Sequence, residues 1–240
     1  MTDIFIRTYA KDYPWLDYAV HSIAHYVSGY RKVVIAYPHT DPTPTFSRRV
    51  PPNIEFVPVE DLANGYIGQQ YTKLCAPMLT NAPFILYWDS DCVATRPFDI
   101  RKEYMDAKGR PILLYSTWEH VGGGAGRWRP ITEHAIGIDP PYEFMRCMPM
   151  LHDALAVYDT IGIIEERHGM GMRDYLSSVK GNAFSEFNAM GAVAYVRHKK
   201  RYWFMSAEDN ALNHPCQQFW SHGGLGETER SIIHSLLGIK

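Results

Sequence analysis

The chain has 240 residues, 46% of them apolar and 21% charged, which is enough for one large domain that buries its own core without disulfide staples. Its formal net charge of −2 supplies no global field to draw in nucleic acid or an anionic membrane. Cys75, Cys92, Cys147 and Cys216 are widely spaced with no CxxC pair, which predicts reduced thiols of a cytoplasmic protein and argues against a zinc site or disulfide framework.

The first residues lack the apolar stretch of a signal peptide, and no run approaches the roughly 20 apolar residues that span a bilayer. Ile4 to Thr8 reads as a buried strand. Pro14 suits a first helical turn, and Leu16, Ala19, Val20, Ile23, Ala24 and Val27 recur at helical spacing, with Gly29 closing the helix. Val33 to Tyr37 is a β-branched strand ended by Pro38. Residues 38–52 form a Pro-rich loop, and Ile54 to Val59 is a third strand. Ile67 to Leu79 reads as a helix with Gln69, Gln70 and Lys73 on its polar side. Phe84 to Trp88 is a continuous apolar run of the kind found in central parallel strands. This alternation predicts an α/β fold, a single domain over 1–240 with a mostly parallel sheet flanked by helices.

Ile112 to Ser116 is a further strand. Beyond residue 117 the texture changes, and Gly122 to Gly126 reads as a hinge or lid. That run lacks a Gly-Lys-Ser/Thr ending and an immediately following helix, which argues against a phosphate-cradling P-loop. Trp118, Trp128 and Arg129 nearby are candidates for sugar contact or for packing. Met148 to Ile164 reads as an amphipathic helix, Glu165 to Lys180 as helix or turn, and Ala189 to Val196 and Tyr202 to Met205 as strands. The basic stretch Arg197 to Arg201 reads as a solvated strand end or turn. A short helix from Glu227 to Leu237 closes the chain.

The strongest chemical signal is Trp88-Asp89-Ser90-Asp91-Cys92. Two carboxylates one residue apart emerge where an apolar strand runs out, and in open α/β sheets ligands bind beyond the carboxyl ends of strands. Hard oxygen ligands of this kind suit Mg²⁺ or Mn²⁺ bridging to phosphates.

In this context the chain resembles glycosyltransferases of the GT-A (Rossmann-like) fold with a DxD motif, and more narrowly an uncharacterised bacterial and phage group of capsule type. Three segments carry the resemblance: Thr8 to Ile23, Gln70 to Asp91, and Ser185-Glu186-Phe187-Asn188-Ala189-Met190-Gly191. It implies a nucleotide-sugar-binding half over about 1–117 and an acceptor-binding half over about 118–240. It also implies that Thr8, Tyr9 and Asp12 contact the base or ribose, though Asp12 also suits a helix cap. Lys73 would steady the ribose or phosphates, with Asp89 and Ser90 beside the donor. Asp89 and Asp91 would hold the metal with a late histidine, His222 ahead of His214. Glu186, ahead of Asp209, would be the acceptor-side carboxylate, a base in an inverting enzyme and an orienting group in a retaining one.

The expected reaction moves a sugar from a nucleotide-diphosphate donor, most commonly a UDP-sugar in this fold, to the hydroxyl of a glycan or other acceptor. A modified DNA base stays open as acceptor, with the balanced charge against it. A nucleotidyltransferase or phosphatase built on the same carboxylates and a non-catalytic nucleotide-sugar-binding module are the alternatives. Arg7 to Asp12 lacks the Gly-rich basic loop that a sugar-activating nucleotidyltransferase needs.

Overall fold

The computed structural model describes residues 1–122, 124–208 and 214–239, with the backbone alone at residue 222. In chain order, strand β1 (Thr2–Arg7) is followed by helix α1 (Tyr13–Tyr26), a two-residue strand β2 (Val27–Ser28), β3 (Val33–Pro38) and β4 (Ile54–Val59). Helices α2 (Gly65–Leu74) and α3 (Ala76–Thr80) lead to β5 (Phe84–Asp89), β6 (Cys92–Ala94), the short β7 (Phe98–Asp99), α4 (Ile100–Tyr104) and β8 (Ile112–Tyr115). Then come α5 (Trp128–Ile136), β9 (Met150–Asp153), α6 (Ala154–His168), α7 (Met172–Ser178), α8 (Glu186–Arg197), β10 (Trp203–Ser206), β11 (Cys216–Gln218) and α9 (Glu227–Leu237).

The main sheet has the order β4-β3-β1-β5-β9. All neighbours in it are parallel except β9, which runs antiparallel to β5 with Phe84 opposite Asp153. The protein is therefore an α/β fold with a mostly parallel sheet flanked by helices. From β1 the chain winds outward through β3 and β4, then returns to place β5 on the other side of β1. That reversal opens a crevice at the carboxyl ends of β1 and β5, where Arg7 lies opposite Asp89. The interior of β5, Ile85 to Trp88, is completely buried, and each such side chain contributes about 1.5–3 kcal/mol of apolar burial. The strand is thus a rigid mount for the residues at its end. Among the described residues no helix is long and apolar enough to cross a membrane.

Several sequence expectations need correction. The helix α1 stops at Tyr26, because Val27 turns extended and pairs with Phe98. The stretch 67–79 is two helices, broken at Cys75 ahead of Pro77, which stands in the first turn of α3. The segment from Met148 is strand β9 before it is helix, with the Asp153 carboxylate accepting from the Leu155 N–H to start α6. The Ala189–Val196 run is the body of helix α8. Glu186 through Ala194 are all buried, so neither period shows, and the alanines and Met190 favour helix once the surroundings cover every face. A helix, α5, does follow the glycine run at 122–126 after one 3₁₀ turn; Gly123 itself lies outside the described residues.

Gly191 explains why α8 can sit so deep. A Cβ there would meet the Phe144 ring at 2.3 Å, and Phe144 is wholly buried with no room to retreat. Gly191→Ala is expected to destabilise the fold by about 1–3 kcal/mol through overpacking, even though alanine is the better helix former by about 1 kcal/mol. Denaturant unfolding reads this as a lower midpoint at unchanged slope.

Candidate functional site

A cleft of about 1210 Å³ lies at the carboxyl ends of β1 and β5. The β1 end contributes Arg7, Thr8 and Tyr9, the following 3₁₀ turn Asp12, and the β5 end Asp89, Ser90 and Asp91. Helix α2 contributes Gln70 and Lys73, and the start of α8 Glu186 and Phe187. The end of β11 and the segment after it close the cleft with Gln218, Trp220 and Ser221. All the sequence-predicted donor residues, Thr8, Tyr9, Asp12, Lys73, Asp89 and Ser90, therefore line one cleft together with Asp91 and Glu186.

At its centre is Lys73, which sequence periodicity placed on a polar helix face and the structure buries. Its Nζ lies 2.9 Å from Asp89 Oδ1 and 3.2 Å from Glu186 Oε1, and 4.8 Å from the centroid of the Phe187 ring. Burial opposes the ammonium, but the two carboxylates outweigh it and hold its pKa above the usual lysine value. Glu186 behaves in the opposite sense: burial pushes its pKa up, and Lys73 restrains the rise. Its backbone N–H donates to Gln70 Oε1 at 3.1 Å, which fixes the first turn of α8 against α2. Gly68 permits a second close approach on α2, since a Cβ would meet Asp61 Oδ1 at 1.8 Å. Asp61 in turn pairs with Arg7 at 2.8 Å.

The DxD carboxylates are tied to the far end of the chain. Strand β11 pairs antiparallel with β6, Gln218 opposite Cys92. The Gln218 amide donates to Asp89 Oδ2 at 3.1 Å and lies 3.5 Å from Asp91 Oδ1. The Ser221 N–H donates to Asp91 Oδ2 at 2.6 Å, and the hydroxyls of Ser221 and Ser90 donate to Asp12 Oδ2 at 3.3 and 3.4 Å. Burial, then Asp89, raises the Asp91 pKa. Burial, then Asp91, pushes Asp12 up to about 6, with Ser221 and Ser90 pulling the other way. Asp12 thus accepts hydrogen bonds across the cleft, and its side chain makes no cap bond to α1.

Among the described residues, six carboxylates, Asp12, Asp41, Asp61, Asp89, Asp91 and Glu186, line the cleft against three cations, Arg7, Lys73 and Arg146. An anionic ligand meets net negative charge there unless a cation accompanies it. Among the described residues no three His, Cys, Asp or Glu side chains form a group able to hold a metal ion. The donor set instead suits an ion of the Mg²⁺ type, which binds through one or two carboxylates and completes its shell with water and phosphate oxygens. His222 stands in a 3₁₀ turn, Ser221–Gly223, but its side chain lies outside the described residues, as does Asp209. His214 does not line the cleft: its Nδ1 is 3.3 Å from the Cys216 carbonyl, on the wall of an adjoining 40 Å³ pocket that shares Arg146, Cys147 and Met150 with the cleft. Trp118 donates to the Pro140 carbonyl, Trp128 is buried and Arg129 pairs with Asp139. None of the three lines the cleft. The basic stretch is the end of α8 and the turn after it, with Arg197 paired to Asp159 and Arg201 to Asp153.

No protein-family model matches the chain, and comparison with curated proteins finds no match either.

The strain on Asp12 has a measurable consequence. A carboxyl whose folded pKa exceeds its unfolded value stabilises the fold most below the unfolded value, and that stability is lost as pH rises through the folded value near 6. Asp12→Asn in metal-free buffer is therefore expected to raise stability above about pH 7 by about 1 kcal/mol, discounted for partial exposure, and to change little near about pH 4. Thermal unfolding at the two pH values checks it.

Proposed function

We propose that the protein is a GT-A-like glycosyltransferase that moves a sugar from a nucleoside-diphosphate donor to an acceptor hydroxyl. The observation that carries this reading is the placement of Lys73 between Asp89 at the end of β5 and Glu186 at the start of α8. One buried ammonium is thereby in contact with a carboxylate of the DxD segment and with a carboxylate of the chain's second half. In this reading Thr8, Tyr9 and Asp12 hold the base and ribose at the β1 end of the cleft. Asp89 and Asp91 are the carboxylates toward the diphosphate, where bound Mn²⁺ or Mg²⁺ supplies Lewis-acid neutralisation of the departing phosphate.

Lys73 holds Asp89 in place and offers its N–H groups to a phosphate oxygen that arrives beside it. Glu186, buried and with its pKa raised, is suited to accept a proton from the acceptor hydroxyl. Tyr66 and Trp220 at the cleft edge are amphipathic surfaces of the type that packs on sugars and bases. The cleft, at about 1210 Å³, has room for a donor and an acceptor side by side.

The test is release of nucleoside diphosphate from a panel of UDP-, GDP- and dTDP-sugars with a mixture of acceptor sugars, with and without Mn²⁺. The expected result is metal-dependent release that Asp91→Ala abolishes. Release of a monophosphate or of pyrophosphate instead would assign the cleft to phosphoryl or nucleotidyl transfer.

A further inference from the structure

Of the three cations that the described residues place on the cleft wall, two are balanced by carboxylates on the same wall: Arg7 by Asp61, and Lys73 by Asp89 and Glu186. Arg146 differs. Its partner is Glu143, which is wholly buried and does not line the cleft. Its charge is therefore balanced from behind, while 28% of its side chain remains exposed.

The mount beneath Arg146 is a polar network, in which Arg146 Nε and Glu143 Oε2 face each other as an ion pair and neither has a hydrogen-bond partner among the described residues. Glu143 exchanges backbone hydrogen bonds with Ser116 at 2.9 Å in both directions. Glu143 Oε1 accepts from the Met145 N–H at 3.0 Å and from Asn188 Nδ2 at 3.4 Å. Asn188 Oδ1 accepts from the Phe144 N–H at 2.8 Å, and Asn188 Nδ2 also donates to Ser185 Oγ at 3.0 Å. The segment 143–146 is thus fastened to the first turn of α8, two residues from Glu186. A buried carboxylate is expensive to desolvate, so a chain that needed only packing at this point would be served by apolar residues. An arginine fork held with its counter-ion behind it matches a planar oxyanion in front.

We propose that Arg146 forms an oxyanion site on the acceptor side of the cleft, so that the acceptor is an acidic molecule bearing a carboxylate or phosphate. This rests on the glycosyltransferase reading above, because it is that reading which makes Glu186 mark the acceptor side. Glu143 and Asn188 are positioning residues in it. Met145 and Met148, which line the same stretch, supply the apolar floor on which the body of the acceptor lies.

The probes are D-glucuronate, glucose 6-phosphate and D-glucose, titrated calorimetrically into the full chain with and without UDP and Mn²⁺. The wild type is expected to prefer at least one acidic sugar over glucose by about 10- to 100-fold, the range of a hydrogen bond to a charged group. Arg146→Lys keeps the charge without the fork and is expected to retain part of that preference. Arg146→Ala strands the buried Glu143, so the double variant Glu143→Gln, Arg146→Gln, which removes both charges together, is the decisive one. It is expected to stay folded, bind UDP with Mn²⁺ as the wild type does, and lose the acidic preference. Equal binding of acidic and neutral sugars by the wild type overturns the proposal. So does a double variant that instead loses UDP binding, because the anion is then the donor's own diphosphate. If no nucleoside diphosphate binds the wild type while the Arg146-dependent acidic preference persists, the oxyanion site stands and the transferase reading falls.

Discussion

Lys73→Met is expected to lower turnover by about 10²–10³-fold, the loss typical of removing one preorganised group from a developing negative charge. It is also expected to lower stability by about 3 kcal/mol, because it leaves the buried Glu186 carboxylate without its cation beside the partly exposed Asp89. The two effects separate in a double variant. Adding Glu186→Gln removes one of the stranded charges, so it should restore part of the lost stability while restoring no activity. A thermodynamic cycle over the four proteins gives the coupling between Lys73 and Glu186, and residues in direct contact couple by about 0.5–3 kcal/mol. Additivity would mean that the contact seen here carries no energy, and unimpaired turnover in Lys73→Met would remove the residue from the mechanism.

Glu186→Gln alone is expected to reduce kcat by about 10²–10⁴-fold, the range of a positioned general base. The substitution keeps the shape of the side chain and leaves Lys73 paired with Asp89, so the fold and the donor KM should stay close to the wild type. The pH profile carries the sign. Burial raises the Glu186 pKa and Lys73 partly restrains it, so wild-type kcat falls as pH drops through that raised value and the carboxylate takes up a proton. In Glu186→Gln the residual rate should lose this acidic limb. A limb that persists at the same pH assigns it to another group. A variant that raises the donor KM and leaves kcat unchanged would make Glu186 a binding residue for the donor.

The first half of the fold is legible in the sequence because its signals are local. Each strand of the β1, β3, β4 and β5 series is a short apolar or β-branched run ended by a turn signal, and the DxD pair follows β5 directly. The second half was misread where burial erases periodicity. Helix α8 is covered on every face, so its alanine-rich run looked like a strand. Strand β9 joins α6 without a break, so the two read as one amphipathic helix. Lys73 shows the same limit in reverse: spacing put it on a polar face, and only the approach of β5 and α8 reveals the buried carboxylates that justify a charge there. Gln218, Ser221, Arg146 and Glu143 had no signature at all. Their roles depend on β11 folding back onto β6 and on Asn188 capturing the 143–146 segment, contacts between stretches that no short-range pattern links. The Ser185–Gly191 segment carries a resemblance in sequence, and its physical content is specific. Glu186 meets Lys73, Asn188 holds the Arg146 segment, and Gly191 admits Phe144.

The central claim is that this cleft holds a nucleoside diphosphate together with a divalent cation at Asp89 and Asp91. Thermal unfolding of the full chain with UDP, GDP, CDP, ADP and dTDP, each with Mn²⁺ and with EDTA, tests it most directly. Ligand stabilisation grows with the logarithm of concentration over dissociation constant, so a weak ligand at about 100 times its dissociation constant still contributes about 2.7 kcal/mol. The expected result is that at least one diphosphate raises the melting temperature with Mn²⁺, does so much less with EDTA, and loses the metal-dependent part in Asp91→Ala. No stabilisation by any diphosphate with Mn²⁺, or the same response in Asp91→Ala as in the wild type, would contradict it.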